Sequence, residues 1–143
     1  MLQRIQTVFL FLAMLVSAGL IFIFPLWFSG NAVITAMDTI SNSNIFIKPI
    51  GVLFIISAIL SFTAIFQYNN RKFQMTLVRL DILINFLLLG LIVYQVQNLS
   101  GEALVSEKGI GSFLPIVVIF LLVFANRYIK KDEDLVKSVD RLR

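Results

Sequence analysis

The chain of 143 residues contains no cysteine and no histidine. Without a thiol it has no disulfide, no thiolate nucleophile and no thiolate ligand for zinc or an iron–sulfur cluster. Without an imidazole it lacks the base of a serine–histidine hydrolase. Its eight carboxylates fall mostly in loops and in the C-terminal tail, which also disfavours a carboxylate-bound cation. The sequence therefore predicts a protein that is not an enzyme and that has no cofactor or metal ion.

Charged residues are scarce as well. They make up 14% of the chain, whereas 59% of it is hydrophobic. Soluble domains carry about 25% charged and 45–50% apolar residues, so this chain has more apolar surface than one small core can cover. The net charge of +4 does not indicate nucleic-acid binding, because the basic residues cluster between apolar runs. The composition predicts a small integral membrane protein.

Four apolar runs approach the length of a membrane-spanning helix, which needs about 20 residues. They predict helices over about 8–28, 50–67, 80–94 and 113–128. The runs lack the alternation of apolar and polar residues that marks the strands of a membrane barrel. The predicted fold is an all-α membrane protein, in which an up-down bundle of four transmembrane helices (1–128) is followed by a short amphipathic cytoplasmic helix (129–143).

The basic residues predict the orientation. Ten of the twelve lie in the N-terminal lead, in the loop between the second and third helices, or in the tail, and only Lys48 and Lys108 lie on the other side. Because Lys and Arg concentrate in cytoplasmic loops, both termini are expected in the cytoplasm. Aromatic residues that favour the membrane interface fall at the end of each predicted helix. They are Trp27, Tyr68, Tyr94 and Tyr128.

The N-terminus allows a second interpretation. Its basic start, its apolar stretch and Val16-Ser17-Ala18 resemble a signal peptide with a cleavage site. The apolar run continues to Trp27, however, which is long enough to span a membrane. We favour a retained helix, although the charge balance does not decide, since cleavage would leave the other helices oriented as before.

Asp81 is the only acidic residue inside the predicted spans, and an ionisable group there suggests function. The residues that share its helical face are Gln74, Val78 and Asn85. Asp81 lies about one turn inside the cytoplasmic boundary, within reach of water or of Arg79 or Arg4. We favour an inter-helix strut or ion pair over a proton or cation relay, because no second acid or histidine lies deeper in the membrane.

Small residues form a face on the second helix, made of Ser57, Ser61 and Ala64, and a lesser face on the first, made of Ala13 and Ser17. Faces of this kind let helices approach closely in lipid. Packing inside the bundle is favoured, and a homo-oligomer remains an open alternative.

The tail has an apolar row, because Leu135, Val139 and Leu142 recur at i, i+4 and i+7. Glu133 precedes Lys137 by four residues, the favourable order for a helical ion pair. Two interpretations remain open, namely a helix lying on anionic headgroups and a docking helix for a partner protein. Four acids among six bases are unlike a pure lipid binder. The candidate interaction residues of the tail are Lys130, Lys131, Leu135, Val139, Leu142 and Arg143.

A family resemblance is carried by three segments: MLQRIQT at the start, NRKFQMTLVRLDILINFLLLG in the middle and ANRYIKKDEDLVKSVDRLR at the end. The chain resembles, over essentially its whole length, an uncharacterised integral-membrane family of Bacteroidota that is described only as a domain of unknown function. The tail is the most specific part of the match. The resemblance implies a four-helix inner-membrane protein with cytoplasmic ends, and it implies no activity and no catalytic residue.

These observations predict a non-enzymatic accessory subunit of a larger inner-membrane complex, docking through its cytoplasmic face and tail. Translocation, insertion and secretion machinery are the hosts considered. Expected partners are membrane lipids and other integral membrane proteins. The alternative is a small transporter or lipid-binding protein with a polar site at Asp81 and Asn85. An intramembrane enzyme ranks third, because paired acids and a nucleophile–base set are missing from the sequence.

Overall fold

A computed structural model describes residues 2–29, 31–99 and 109–143. The helices are α1 (Leu2–Leu15), α2 (Ile21–Ile23), α3 (Ala36–Ser41), α4 (Lys48–Phe66), α5 (Arg71–Leu99) and α6 (Leu114–Arg141). A π turn, Val16–Leu20, joins α1 to α2, and a 3-10 turn, Ile110–Phe113, precedes α6. The strands β1 (Trp27–Ser29) and β2 (Ala32–Ile34) form an antiparallel hairpin. The predicted all-α class is confirmed, with this hairpin as a small addition.

The four long helices form a bundle in the cyclic order α1, α4, α5, α6, and each packs against its two neighbours. Cross-helix contacts run in opposite sequence directions, so neighbouring helices are antiparallel. For example, α4 meets α5 through Ser61 with Asp81 and through Ser57 with Asn85. The large side chains buried completely between the helices include Leu10, Ile50, Phe54, Leu88, Leu122 and Ile129.

Three helical segments are long and apolar enough to cross a membrane: Lys48–Phe66, Arg71–Asn98 and Ile110–Arg141. Their most apolar 18-residue windows have a mean hydropathy of 2.0 to 2.3, yet only 28% to 33% of these windows is buried inside the protein. Most of this apolar surface therefore faces outward. A helix that is apolar on all sides belongs in a core or in a bilayer, so the fold is that of a membrane protein.

The first predicted helix, 8–28, begins and ends earlier than expected and is less regular. Its apolar part, Ile5–Gly19, continues through the π turn, and the helix ends at Ile23. Pro25 explains the end, because proline lacks the N–H that a helix interior needs and disfavours a helical conformation at Phe24 before it. The chain then turns into β1 instead of continuing to Phe28.

Trp27 is buried rather than interfacial, which corrects the sequence prediction for this residue. It lies in β1 opposite Ile34, and only 1% of it is exposed. Because the chain reverses after Ser29, the indole folds back against the end of the bundle. Tyr68 and Tyr94 are exposed, whereas Tyr128 stacks on Phe9 with ring centroids 5.6 Å apart.

The hairpin closes one end of the bundle through direct backbone contacts, and we call this end the hairpin end. Gly109 N–H donates to the Leu26 carbonyl over 3.1 Å, and Gly111 N–H donates to the Pro25 carbonyl over 2.8 Å. A Cβ on Gly111 would lie 2.6 Å from the Pro25 oxygen, and one on Gly109 would lie closer still to the same atom. Only glycine fits here. Lys108, just before this contact, lies outside the described residues.

The segment between β2 and α4, predicted as a polar loop, contains α3. Both the backbone N–H and the hydroxyl of Thr35 donate to Asp38 Oδ2, over 2.9 Å and 2.8 Å, at the start of this helix. These bonds lower the pKa of the Asp38 carboxyl from its usual value, the backbone bond being the larger cause. Helix α3 packs on Gly51 of α4, where a Cβ would lie 2.7 Å from the Ala36 carbonyl oxygen.

We call the opposite end the basic end; it comprises the start of α1, the turn from α4 to α5, and α6 from Arg127 onward. Arg71 Nε of α5 lies 3.0 Å from Asp132 Oδ2 of α6. The predicted ion pair between Glu133 and Lys137 is confirmed, at 2.9 Å. Helix α6 continues without a break through the predicted boundary at residue 129 to Arg141.

Gly109→Ala should destabilise the protein by about 1–3 kcal/mol, because the added methyl group meets a hydrogen-bonded carbonyl that cannot move away. Thermal unfolding of the purified chain in detergent measures the change. The control is Gly90→Ala on α5, where a Cβ would have no neighbour within 4 Å. This control should be neutral or slightly stabilising, since alanine favours a helix. Equal losses of stability in both variants would contradict the close contact.

Candidate functional site

Five polar side chains form a continuous hydrogen-bonded row inside the bundle, and we call it the polar chain. Its members, in bonding order, are Ser17 of α1's π turn, Ser57 of α4, Asn85 and Asp81 of α5, and Ser61 of α4. Each of them is at most 1% exposed. The polar chain therefore joins the π turn, α4 and α5 in the interior of the bundle.

Asp81 is the centre of this arrangement. Its Oδ2 accepts a hydrogen bond from the Ser61 hydroxyl over 2.5 Å, and its Oδ1 accepts one from Asn85 Nδ2 over 3.0 Å. Both oxygens of the carboxylate are therefore bonded, one across the helix interface and one along α5. Hydrogen bonds to a charged group are stronger than neutral ones, so this residue fixes how α4 and α5 are rotated against each other.

The two faces that the sequence singles out lie against each other. The small residues Ser57, Ser61 and Ala64 of α4 are buried, as are Gln74, Val78, Asp81 and Asn85 of α5. Gln74 Nε2 donates to the Ala64 carbonyl over 2.9 Å, which adds a contact nearer the basic end. Because small side chains let the helix backbones approach, the short serine hydroxyls can reach the carboxylate and the amide.

Asp81 does not pair with Arg79, although the sequence allows it. Arg79 is exposed on the outside of α5, and among the described side chains the ion pairs are those of Arg71 and of Lys137. Residues 79 and 81 are two positions apart on one helix, so their side chains are rotated by about 200° around the helix axis. Arg79 therefore points away from Asp81.

Arg4 is the other predicted partner, and its side chain lies outside the described residues. The helix backbone gives its level. Phe9 of α1 stacks on Phe124 and Tyr128 of α6, and Arg71 of α5 meets Asp132. These contacts set the register of α1, α5 and α6. At 1.5 Å per residue, Asp81 lies at about the level of Ala13 of α1, which is roughly 13 Å farther from the basic end than the Arg4 backbone.

One acceptor of the polar chain is left open. Asn85 Nδ2 has two hydrogens and three acceptors near it: Ser57 Oγ at 2.8 Å, the Asp81 carbonyl at 2.9 Å and Asp81 Oδ1 at 3.0 Å. Asn85 Oδ1 is buried and has no hydrogen-bond partner among the residues that the structure describes. Gln6 and Gln74, nearer the basic end, each have a buried amide oxygen in the same condition. A buried acceptor of this kind is a place for a water molecule or for a donor group of a ligand.

The far end of the polar chain lies at a groove on the outside of the bundle, between α1 and α4. The groove has a volume of about 280 Å³ and its lining includes Ser17. The other lining residues are Met14, Ala18, Phe22, Ile55, Ala58, Ile59 and Phe62. Ser17 is brought here by the π turn, a distortion that often marks functional sites. Its contact with Ser57 was not predicted from the sequence, since no residue pattern indicates a π turn.

The chemistry open to the polar chain is limited. It contains one acid and no base, so it can hold the helices in register or accept a hydrogen bond, but it offers no second titratable group for a proton relay. The predicted tail residues lie far from it, at the basic end. Leu135, Val139 and Leu142 are 47%, 60% and 89% exposed, and Lys130, Lys131 and Arg143 are exposed as well.

Ser61→Ala should destabilise the bundle by about 0.6–1.7 kcal/mol, the range of inter-helix hydrogen bonds in membranes. In combination with Asp81→Asn the loss should be smaller than the sum of the two single losses, because both remove the same bond. The control is Thr63→Val on the same helix, whose hydroxyl bonds only the Leu60 carbonyl and is exposed. Additive losses in unfolding experiments would show that Asp81 and Ser61 act independently.

Comparison with known proteins identifies the family of the chain but no individual relative. No curated protein and no solved structure matches it. A family model described as a domain of unknown function (DUF4293) matches residues 2–142, which is nearly the entire sequence. The chain therefore belongs to the DUF4293 family.

Proposed function

We propose that the chain is a non-enzymatic accessory subunit of a larger inner-membrane complex, in which it docks through its basic end and its tail. Four spans and cytoplasmic termini are part of this proposal. The supporting observation is the C-terminal half of α6, whose apolar row is exposed on a charged stretch beyond the last fully buried residue, Ile129. The interior supports the same function, because its polar groups are used to join helices.

The fourth span is the path from α1 through the π turn to α2. It covers 22 residues from Leu2 to Ile23. At 1.5 Å per residue this is about 33 Å, which is enough for a hydrocarbon core of about 30 Å. With four antiparallel crossings, the start of α1 and the end of α6 both lie at the basic end, and the positive-inside rule then assigns that end to the cytoplasm.

The tail supports docking to a protein more than binding to headgroups. Helix α6 is unbroken from Leu114 to Arg141, and its last fully buried residue is Ile129. Asp132 still contacts Arg71 of α5, so the nine residues from 133 to 141 would extend about 14 Å beyond the bundle. Because this extension continues the direction of a membrane-crossing helix, it points away from the lipid surface. Its apolar row therefore cannot lie flat on the headgroups.

The pattern of the tail fits a second amphipathic helix as its partner. Leu135, Val139 and Leu142 are spaced by four and then three residues, which is the spacing of a coiled-coil seam. Val136 lies beside this row and is 40% exposed. Polar residues cover the rest of the circumference, with Lys137 paired to Glu133. Helix-in-groove recognition uses apolar anchors of this spacing. The expected partner is thus a cytoplasmic helix of another subunit.

Val139→Asp should abolish partner binding and leave the unfolding temperature of the bundle unchanged, because residue 139 is 60% exposed. The matched control is Ser138→Asp, which places the same charge one position away, outside the apolar row. The measurement is photo-crosslinking in native membranes from a reactive residue at Leu142, followed by mass spectrometry. The proposal requires one defined integral-membrane partner, lost in Val139→Asp and kept in the control. A crosslink between two copies of the chain, or a monomer in every sample, would contradict it.

A second function is favoured by one observation. Asn85 Oδ1 has no described hydrogen-bond partner, and its polar chain ends at the groove between α1 and α4. A small transporter or a lipid-binding protein would need such an acceptor to bind a donor group of its ligand. The groove walls are apolar, so the ligand would be a lipid or another amphiphile with a hydroxyl or ammonium donor. This candidate ranks behind the accessory subunit, because Asp81 already has partners on both oxygens.

Asp81→Asn separates the two functions. For an accessory subunit, the variant should unfold at a lower temperature and should still be crosslinked to its partner through the tail. For a transporter or lipid-binding protein, the variant should lose ligand-dependent stabilisation, while its own folding stays intact. Thermal unfolding with and without added membrane lipids measures both effects in one experiment. Stabilisation by lipid that disappears only in Asp81→Asn would favour the second function.

A further inference from the structure

Two basic side chains at the basic end have no carboxylate partner among the described residues. Arg127 and Lys131 are four residues apart on α6, so they lie on the same side of the helix, and both are exposed. Within the described ranges, the carboxylates that follow Lys131 are used elsewhere, since Asp132 pairs with Arg71 and Glu133 with Lys137.

The one remaining carboxylate nearby is Asp134, one turn farther toward the C-terminus. It is exposed and takes part in neither of the described ion pairs. No ion pair of the described part of the chain therefore neutralises the positive charge of Arg127 and Lys131. A cation pair of this kind is suited to an anion from outside.

These two cations border a recess with a volume of about 390 Å³. The described part of its lining is Phe124, Arg127, Tyr128 and Lys131. The aromatic wall is held in place, because Phe9 of α1 stacks on Phe124 at 5.8 Å and on Tyr128 at 5.6 Å, the latter with an interplanar angle of 12°. The recess thus has charged groups toward the tail and fixed rings toward the bundle.

We propose that this recess binds the phosphate headgroup of an anionic glycerophospholipid. The Arg127 guanidinium can donate two parallel hydrogen bonds to one phosphate. Lys131 adds a second charge, and the Tyr128 hydroxyl adds a further donor. The Phe124 ring, one turn deeper, is placed to contact the glycerol backbone and the first acyl carbons.

The position in the bundle selects a lipid over a soluble phosphate. Toward the hairpin end, α6 exposes the apolar side chains of Phe120, Val123 and Phe124. Toward the tail it exposes charge. Arg127 and Lys131 therefore lie where an apolar surface changes to a polar one, the level at which lipid phosphates are found and at which basic pockets hold anionic headgroups. The inference requires the proposed membrane placement but not the proposed partner.

Native mass spectrometry of the full-length chain in detergent tests the site, with phosphatidylglycerol, phosphatidylcholine and inorganic phosphate as the three probes. We expect one phosphatidylglycerol molecule to bind, more tightly than phosphatidylcholine. The double variant Arg127→Gln, Lys131→Gln should bind phosphatidylglycerol about tenfold more weakly. The control is the double variant Lys72→Gln, Lys130→Gln, which removes the same charge from the same end outside the recess. Its affinity should change by less than about twofold.

Tyr128→Phe provides an independent check that keeps the net charge and the ring stacking, and it should weaken phosphatidylglycerol binding alone. All variants should unfold at the temperature of the unmodified chain, since the substituted groups lie at the surface of α5 or α6. Equal losses in the two double variants would show diffuse attraction to charge and overturn the proposal. Equal binding of phosphatidylcholine would also overturn it, as would inorganic phosphate that occupies the site or displaces the lipid.

Discussion

A carboxylate inside an apolar bundle must find its hydrogen-bond donors within the protein, and this requirement organises the fold. In a bilayer there is no water to satisfy a polar group at that depth. Asp81 is 1% exposed and takes its donors from Ser61 and Asn85. The bond to Ser61 sets α5 against α4, and the bond from Asn85 to Ser57 extends the link toward α1. Helix α6 then packs on this assembly with apolar side chains, among them Val118 and Leu122.

The two ends of the bundle are built on different principles. At the hairpin end, backbone meets backbone: Pro25 and Leu26 lie directly against Gly109 and Gly111, and α3 covers Gly51. This end is closed, with its only tryptophan buried in it. The basic end is held by a single described ion pair between helices, that of Arg71 with Asp132, and it extends into a tail with an exposed apolar row. The apolar row of the tail and the recess beside Arg127 and Lys131 therefore both lie at the basic end.

Much of the fold follows from the sequence because its signals are local. Apolar length predicts the long helices, and the spacing of Gln74, Val78, Asp81 and Asn85 predicts one face of α5, which is indeed buried. The ion pair of Glu133 with Lys137 follows from a separation of four residues. Pro25 indicates the end of the first helix, but it lies within an unbroken run of apolar residues, and that run predicts a helix that continues past it.

The features that escaped prediction depend on contacts between distant segments. The burial of Trp27 needs the hairpin, and the hairpin needs glycines more than eighty residues later in the chain. The partners of Asp81 depend on how α4 and α5 rotate against each other, and a single sequence does not record that rotation. The sequence therefore pointed to Arg79 and Arg4 as partners of Asp81, and for Arg79 this prediction is wrong. The link from Ser17 to Ser57 required the π turn, which arises from packing rather than from residue preference.

The proposals for the tail and for the lipid site share one premise, which is that the basic end faces the cytoplasm. Because the chain has no cysteine, a single cysteine at Arg143 would be its only thiol. Labelling of Arg143→Cys in intact cells with a membrane-impermeant maleimide tests the premise, with Asn31→Cys in the hairpin as the opposite control. The account predicts that the thiol at 143 reacts only after the inner membrane is permeabilised, whereas that at 31 reacts before. Labelling at 143 in intact cells, or equal labelling at both positions, would contradict it.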